Sequence, residues 1–263
     1  MEVRGKVVLV TGGAHGIGRA LCRLFHREKA AGIGVADLDA AGAEAVAQEV
    51  GGVAVATDVS QEEAIRRAVA VTEERFGAID LLCSNAGVAY SDGPGWMATS
   101  QTNEQWERIW KINVMAHVWG ARAVLPGMIE RGSGYLLHTV SAAGLLSQIG
   151  DASYSTTKHA ALGFAESLAI THGDQGIGVS VLCPQAVDTG LYHLPGTEAL
   201  AEAAKVDGLL TPEEVAEVVL AGLAAETFLI LPHPTVATYM VRKAGDTDRW
   251  LKGMRRFRKS LFP

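Results

Sequence analysis

Short apolar runs alternate with longer stretches of helical period from the start of the chain. Residues 7–10, 33–36, 53–56 and 81–84 read as strands, and 16–29, 40–49 and 61–76 between them read as helices. Strands separated by helices cannot pair as hairpins. The pattern therefore predicts an α/β fold with a doubly wound parallel sheet. After a Gly/Pro/Ser-rich connection around 91–100 the alternation resumes, with a helix at about 114–131, a strand at 135–140, a helix at about 153–172 and a strand at 179–183. Residues 185–210 show no clean period and contain Pro195 and Gly196, so they read as a mobile loop with room for a short helix. Thr211-Pro212-Glu213-Glu214 is a helix start, with a hydroxyl cap, Pro at the first helical position and acids in the first turn. A last strand is expected at 228–231, followed by a helical tail at about 236–263.

Composition narrows the function classes. A chain of 263 residues, 48% apolar and 20% charged, suits one large α/β domain with a sizeable core. A net charge of -6 gives no general attraction to phosphate backbones, so nucleic acid is not an expected partner. The opening residues carry no secretion signal, and no apolar run reaches the ~20 residues that span a bilayer, so a cytoplasmic location is expected. Cys22, Cys83 and Cys183 are odd in number and set in apolar contexts, which predicts buried reduced thiols. The histidine spacing suggests no metal site.

The first strand runs into Thr11-Gly12-Gly13-Ala14-His15-Gly16-Ile17-Gly18 and then a helix. Glycines let the backbone turn sharply and approach a pyrophosphate, whose charge the helix N-terminus favours. A glycine-rich turn alone is weak evidence, but the first strand-to-helix junction of an alternating chain is the context that gives it meaning. Nineteen residues after Gly18, Asp37 ends the second strand, where a carboxylate can accept hydrogen bonds from ribose hydroxyls. A 2′-phosphate there would meet like charge, with no Lys or Arg in the turn or next to Asp37, so NAD is expected rather than NADP. A helix cap is the plainer role for Asp37, though Asp39 suits it equally. Asp58, followed by Val59, closes the third strand where the adenine edge would lie; its plainer role is to cap the next helix.

Tyr154 and Lys158 lie four apart on an expected helix and share a face. Lowering a phenol from its ordinary pKa of about 10 to near neutrality costs about 4 kcal/mol. One ammonium about 4 Å away supplies about that much at an effective dielectric of about 20. Lys158 is therefore sufficient in principle to activate Tyr154, and an oxidised nicotinamide would add to it.

Taken together, Thr11–Gly18, Asp58, Asn85-Ala86-Gly87, Asn113, Ser141, Tyr154-Ser155-Thr156-Thr157-Lys158 and the stretch from Pro184 to Thr189 resemble the short-chain dehydrogenase/reductase family, over Lys6 to about Thr189. The resemblance implies a Rossmann fold and hydride transfer between NAD(H) and a secondary alcohol or ketone. It makes Tyr154 the acid/base, places Lys158 on the nicotinamide ribose and Ser141 on the substrate oxygen, and gives Asn113 a part in a proton relay. It sets Gly12, His15, Gly16, Ile17, Gly18, Asp37, Asp58, Val59, Asn85, Ala86 and Gly87 along the cofactor, with Pro184, Val187 and Thr189 beside the nicotinamide. Two departures stand out: Ser84 and Gln185 occupy positions where the family usually has Asn and Gly.

Family geometry also implies that substrate meets Trp96, Leu145, Leu146, Gln148, Gln185, Leu191, Tyr192, His193 and Leu194, giving a mainly apolar pocket for a hydrophobic or cyclic alcohol. For His193, solvation in the loop is the plainer role. The long helices at 114–131 and 153–172 resemble the family's dimer contact, so a homodimer or homotetramer is expected. Trp250, Met254, Phe257 and Leu261 fall three or four apart in the basic tail and form an apolar stripe that needs cover. Three covers remain open: the subunit itself, a neighbouring subunit or the active-site mouth, and a membrane surface. Two other functions share these motifs, an NADPH-dependent β-oxoacyl thioester reductase and a non-catalytic NAD-binding regulator. Asp37 argues against the first and the complete catalytic set against the second.

Overall fold

The computed structural model describes residues 1–93, 97–193 and 205–261. Trp96, Leu194, Pro195 and Gly196 lie outside the described residues. Seven strands, β1 (Val7–Thr11), β2 (Gly32–Asp37), β3 (Val53–Ala56), β4 (Leu81–Ser84), β5 (Gly134–Thr139), β6 (Ile177–Leu182) and β7 (Leu229–Ile230), form one sheet in the order β3-β2-β1-β4-β5-β6-β7. Every pairing is parallel. The order reverses between β1 and β4, and the crevice beyond the carboxyl ends of such a pair is where ligands bind in doubly wound sheets.

The strands are nearly continuous apolar runs because both sheet faces are covered. On one face α1 (Gly16–Arg27), α2 (Ala40–Val50) and α8 (Pro212–Ala224) bury Leu21, Phe25, Val46 and Val219. On the other, α3 (Glu62–Phe76), α5 (Ala116–Arg131) and α7 (Ala152–His172) bury Val69, Met128, Ala165 and Leu168. Each fully buried side chain of this size contributes about 1.5–3 kcal/mol. Cys22, Cys83 and Cys183 are buried free thiols.

Some expectations need correction. The helix expected at 114–131 begins about three turns earlier, as α4 (Asn103–Trp110), and continues into α5 through a π-helical segment, Lys111–Met115. Thr102 starts it with a full capping box to Gln105. A short helix, α6 (Ala143–Leu146), follows β5 where no element was expected. The last strand keeps only Leu229–Ile230. The tail divides at Asp246 into α9 (Thr235–Gly245) and α10 (Thr247–Leu261). Thr211 caps α8 as expected, accepting from the Glu214 N–H. The two ends of the expected substrate loop are tied by a parallel bridge between Val187 and Leu210.

Candidate active site

The glycine turn closes over the reversal point. Gly12 and Gly16 both have left-handed φ, +67° and +48°. A Cβ on Gly12 would stand 2.9 Å from Ala86 Cα, and one on Gly16 3.0 Å from Thr189 Cγ2, so the turn packs directly on two segments expected at the cofactor. Asn85 fixes that packing: its Nδ2 donates to Thr11 O at 3.1 Å, its backbone N–H to Thr11 Oγ1 at 3.0 Å, and its Oδ1 accepts from Thr139 Oγ1 at 3.0 Å. Gly18 is set back from the cavity wall, and a side chain there would collide with the Gly12 carbonyl; its role is packing of the turn.

Asp37 does not cap α2; Asp39 does, accepting from the Gly42 N–H at 3.0 Å. Asp37 instead accepts from the Ala14 and Asp39 N–H groups, each at 3.0 Å, which orients its carboxylate at the turn. His15 pairs with Asp39 at 2.8 Å. Asp58 does not cap α3, whose cap is Gln61, but accepts from the Ser60 N–H at 2.9 Å.

A cavity of about 820 Å³ runs on from this turn. Gly12, His15, Gly16, Ile17, Asp37, Asp58 and Val59 line one part, and Asn85, Ala86 and Gly87 follow. Ser141, Tyr154, Lys158, Pro184, Val187 and Thr189 line it as well, so the expected cofactor and catalytic residues share one space. The positive-φ glycines, the oriented carboxylate and the length of this cradle fit a dinucleotide.

Lys158 is buried and its Nζ donates to Thr139 O at 2.9 Å, 5.5 Å from the centre of the Tyr154 ring. Burial lowers its pKa to about 8. Protein crowds the Tyr154 hydroxyl, and this desolvation pushes it up to about 12, opposed by a hydrogen bond with Ser141 and reinforced by the charge of Asp151. Lys158 by itself does not bring the phenol near neutrality, which leaves that step to the oxidised nicotinamide expected beside it. The ammonium is itself desolvated and committed to a carbonyl, and the penalty for a buried phenolate dominates. Ser141 Oγ also accepts from the Ala143 N–H at 3.1 Å, which holds the hydroxyl in the cavity wall.

Asn113 stands behind the wall rather than in it. Its Nδ2 donates to Val88 O at 2.9 Å and Thr157 Oγ1 at 3.2 Å, and its Oδ1 accepts from the Val88 N–H at 3.0 Å. The side chain is thus committed to joining the π-helical segment to the catalytic helix. π-Helical turns recur at functional sites because they redirect backbone groups.

Two residues not singled out from the sequence hold this geometry. Asp151 is the N-cap of α7, and its buried carboxylate accepts from Tyr154 N at 2.9 Å, Tyr90 N at 2.8 Å, Gln101 Nε2 at 3.2 Å and Ser153 Oγ at 3.3 Å. An Asp three residues before the tyrosine was a legible capping signal. His233 accepts at Nδ1 from the Gln185 N–H at 3.2 Å and donates from Nε2 to Gly208 O at 3.3 Å. It joins the segment after β6 to the far end of the loop, with no local signal in the sequence.

Leu146, Gln148, Gln185, Leu191 and Tyr192 line the cavity, whereas Leu145 and His193 do not. His193 is exposed and pairs with Asp188 at 2.6 Å, so solvation is its place. Gln185 Oε1 is buried with no partner among the described residues. Trp250, Met254 and Phe257 of α10 line the cavity too, the Trp250 ring lying tilted against Tyr239 of α9 with centroids 6.2 Å apart. Three of the four stripe residues, Trp250, Met254 and Phe257, thus face the active-site mouth and stay partly exposed, while Leu261 does not line the cavity. Among the described residues no three His, Cys, Asp or Glu side chains gather as a metal set, and no helix is long and apolar enough to cross a membrane.

Residues 6–195 match the short chain dehydrogenase family, and the chain belongs to it. It is 35% identical over 240 residues to 1-deoxy-11-beta-hydroxypentalenate dehydrogenase of Streptomyces exfoliatus, covering 89% of this chain and 85% of that one. It is 31% identical over 259 residues to estradiol 17-beta-dehydrogenase 11 of Mus musculus, covering 95% and 83%. Among solved structures, a short chain dehydrogenase/reductase from Burkholderia phymatum in complex with NAD superposes with a TM-score of 0.84, at 26% identity and covering 94% and 96% of the two chains.

Proposed function

We propose that the protein is an NAD-dependent dehydrogenase or ketone reductase for a bulky, apolar, cyclic secondary alcohol. The observation that carries this is one cavity with the glycine turn and Asp37 in one part and Ser141, Tyr154 and Lys158 in another. The names of the Streptomyces and mouse relatives describe polycyclic alcohols as their substrates. The wall built from Leu146, Leu191, Trp250, Met254 and Phe257 suits such a ring system.

In this reading Ser141 Oγ holds the substrate oxygen. Tyr154 takes the hydroxyl proton in oxidation and returns it in reduction. Lys158 orients the nicotinamide ribose, and Asn113 fixes the backbone behind it. When bound, the cofactor would supply the hydride acceptor as NAD or the hydride donor as NADH, and in its oxidised form a positive charge. Such a charge would oppose the burial that, even with the Ser141 hydrogen bond, holds Tyr154 near 12. Gln148, Gln185 and Tyr192 are the polar contacts to substrate.

The chain acts as a cytoplasmic homodimer, with α4–α5 and α7 as the contact; a monomer in light scattering at micromolar concentration would contradict this assembly. A panel of cyclic secondary alcohols with NAD and NADP, followed by reduced-cofactor absorbance, tests the activity. NAD is expected to exceed NADP in kcat/KM by at least about tenfold, roughly 1.4 kcal/mol, and Asp37→Ser to narrow the gap. Equal use of NADP, or no turnover of any alcohol, contradicts the reading.

A further inference from the structure

The cation distribution of this acidic chain is uneven. The chain has 29 acidic and 23 basic residues, yet α10 carries six Lys/Arg and one acid, Asp248, in 15 residues. While Trp250, Met254 and Phe257 turn into the catalytic cavity, Lys252, Arg255 and Arg258, spaced three apart, line a second groove on the flank of the same helix. That groove, of about 530 Å³, adjoins the catalytic cavity: Gln148, Ile149 and Met254 line both. Two acids share it. Asp92 is committed to Gln101 Nε2 and the Ala152 N–H, each at 3.2 Å, and Asp248 lies in the first turn of α10. Lys252 and Arg255 are exposed and in no ion pair among the described residues, although these carboxylates are close by.

Unpaired cations next to an apolar pocket suit a ligand whose apolar body fills the pocket and whose charged end leaves it. A membrane surface suits the geometry less, because Trp250, Met254 and Phe257 are turned inward on the cavity, leaving Leu251 as the exposed large apolar residue of α10. We propose that Lys252 and Arg255 bind an anionic group, a carboxylate or its sulfonate or phosphate equivalent, at the end of the substrate remote from its secondary alcohol. The substrate is then an amphiphile, a hydroxy acid with a bulky apolar body rather than a neutral alcohol. This rests on the proposed function for the position of the alcohol, but the binding of the anionic end is measurable without turnover.

The test uses calorimetric titration of the full chain, with NADH present, by two pairs of probes: lithocholate and its neutral primary amide, and the shorter 4-(4-hydroxycyclohexyl)butanoate and its amide. At least one acid is expected to bind ten times or more tightly than its amide at low ionic strength. The preference should shrink as salt screens the exposed cations. In Lys252→Glu/Arg255→Glu, and in the milder Lys252→Gln/Arg255→Gln, the ratio of acid to amide affinity should fall to near one, with melting temperature recorded to show that both variants fold. Equal affinity of acid and amide in both pairs overturns the proposal, as does a preference that survives both double variants. Binding to vesicles of anionic phospholipid that depends on Lys252 and Arg255, with acids and amides indistinguishable, assigns the cations to a membrane surface and also overturns it. If acids are preferred and lost in the variants but no alcohol is oxidised, the proposed function fails and this inference stands.

Discussion

Replacing Asp151 separates the support of the catalytic helix from the chemistry it carries. In Asp151→Ala the α7 cap is lost, which costs about 1 kcal/mol. The buried Tyr90 N–H then loses its acceptor, at about 1–3 kcal/mol, while Gln101 Nε2 keeps Asp92. Ser153 can rotate its hydroxyl, so it adds little. The sum, about 2–4 kcal/mol, lowers Tm by about 4–8 °C in a chain of this size. Asp151→Asn keeps one oxygen for the Tyr154 N–H but turns an amine toward another donor, and should cost about 1–3 kcal/mol. The asparagine variant also removes a negative charge. Burial is the main reason the Tyr154 phenol is held high, and the Asp151 charge adds to it. Without that charge the phenolate forms more readily. The rise of kcat/KM for alcohol oxidation with pH should therefore move to lower pH in Asp151→Asn. Differential scanning calorimetry and pH–rate profiles measure the two effects. A Tm within about 2 °C of the parent in Asp151→Ala refutes the support role, and an unmoved profile in a folded Asp151→Asn refutes the electrostatic one.

Deleting the residues after Asp248 removes Trp250, Met254 and Phe257 from the cavity wall; KM for apolar alcohols should rise at least about tenfold while light scattering still finds a dimer. Lys158, lowered by burial from 10.5 to about 8, loses its proton in the folded state before the unfolded one. The contribution of Lys158 to stability should therefore rise between about pH 8 and pH 10, by on the order of 2 kcal/mol, against the loss that the buried thiols of Cys22, Cys83 and Cys183, held by burial above their ordinary 9.0, bring from about pH 9 and Tyr154 brings above 10.0. Urea unfolding of the parent and of Lys158→Met across that range checks this, the variant lacking the Lys158 contribution.

The sheet was legible because buried parallel strands are written as contiguous apolar runs, and β3 and β4 match the sequence reading at both ends. The glycine turn and the Tyr154–Lys158 pair were legible for a related reason, since each is a local pattern with a fixed spacing. Functions built from distant residues were not. Asn113 is committed to Val88 and Thr157, and His233 joins Gln185 to Gly208; neither partner set is written near the residue. The buried pair His117 and His138, Nδ1 atoms 2.8 Å apart, arises only because α5 lies over β5. Burial of the Tyr154 hydroxyl was not legible, because a charge at a given spacing can be counted, whereas desolvation depends on what packs around the hydroxyl. The tail stripe was legible as one helical face, whereas the turn of three of its residues toward the cavity depends on how α9 and α10 pack.

The most direct test of the central claim compares the parent with Tyr154→Phe, which keeps the ring and removes the hydroxyl. Each is mixed with NAD and a bulky cyclic secondary alcohol, and NADH formation is followed alongside NADH binding by fluorescence. The parent should form NADH, and the variant should lose about 100-fold or more in kcat while binding NADH as the parent does. A variant that keeps near-normal kcat would show that another group carries the proton and would contradict the account.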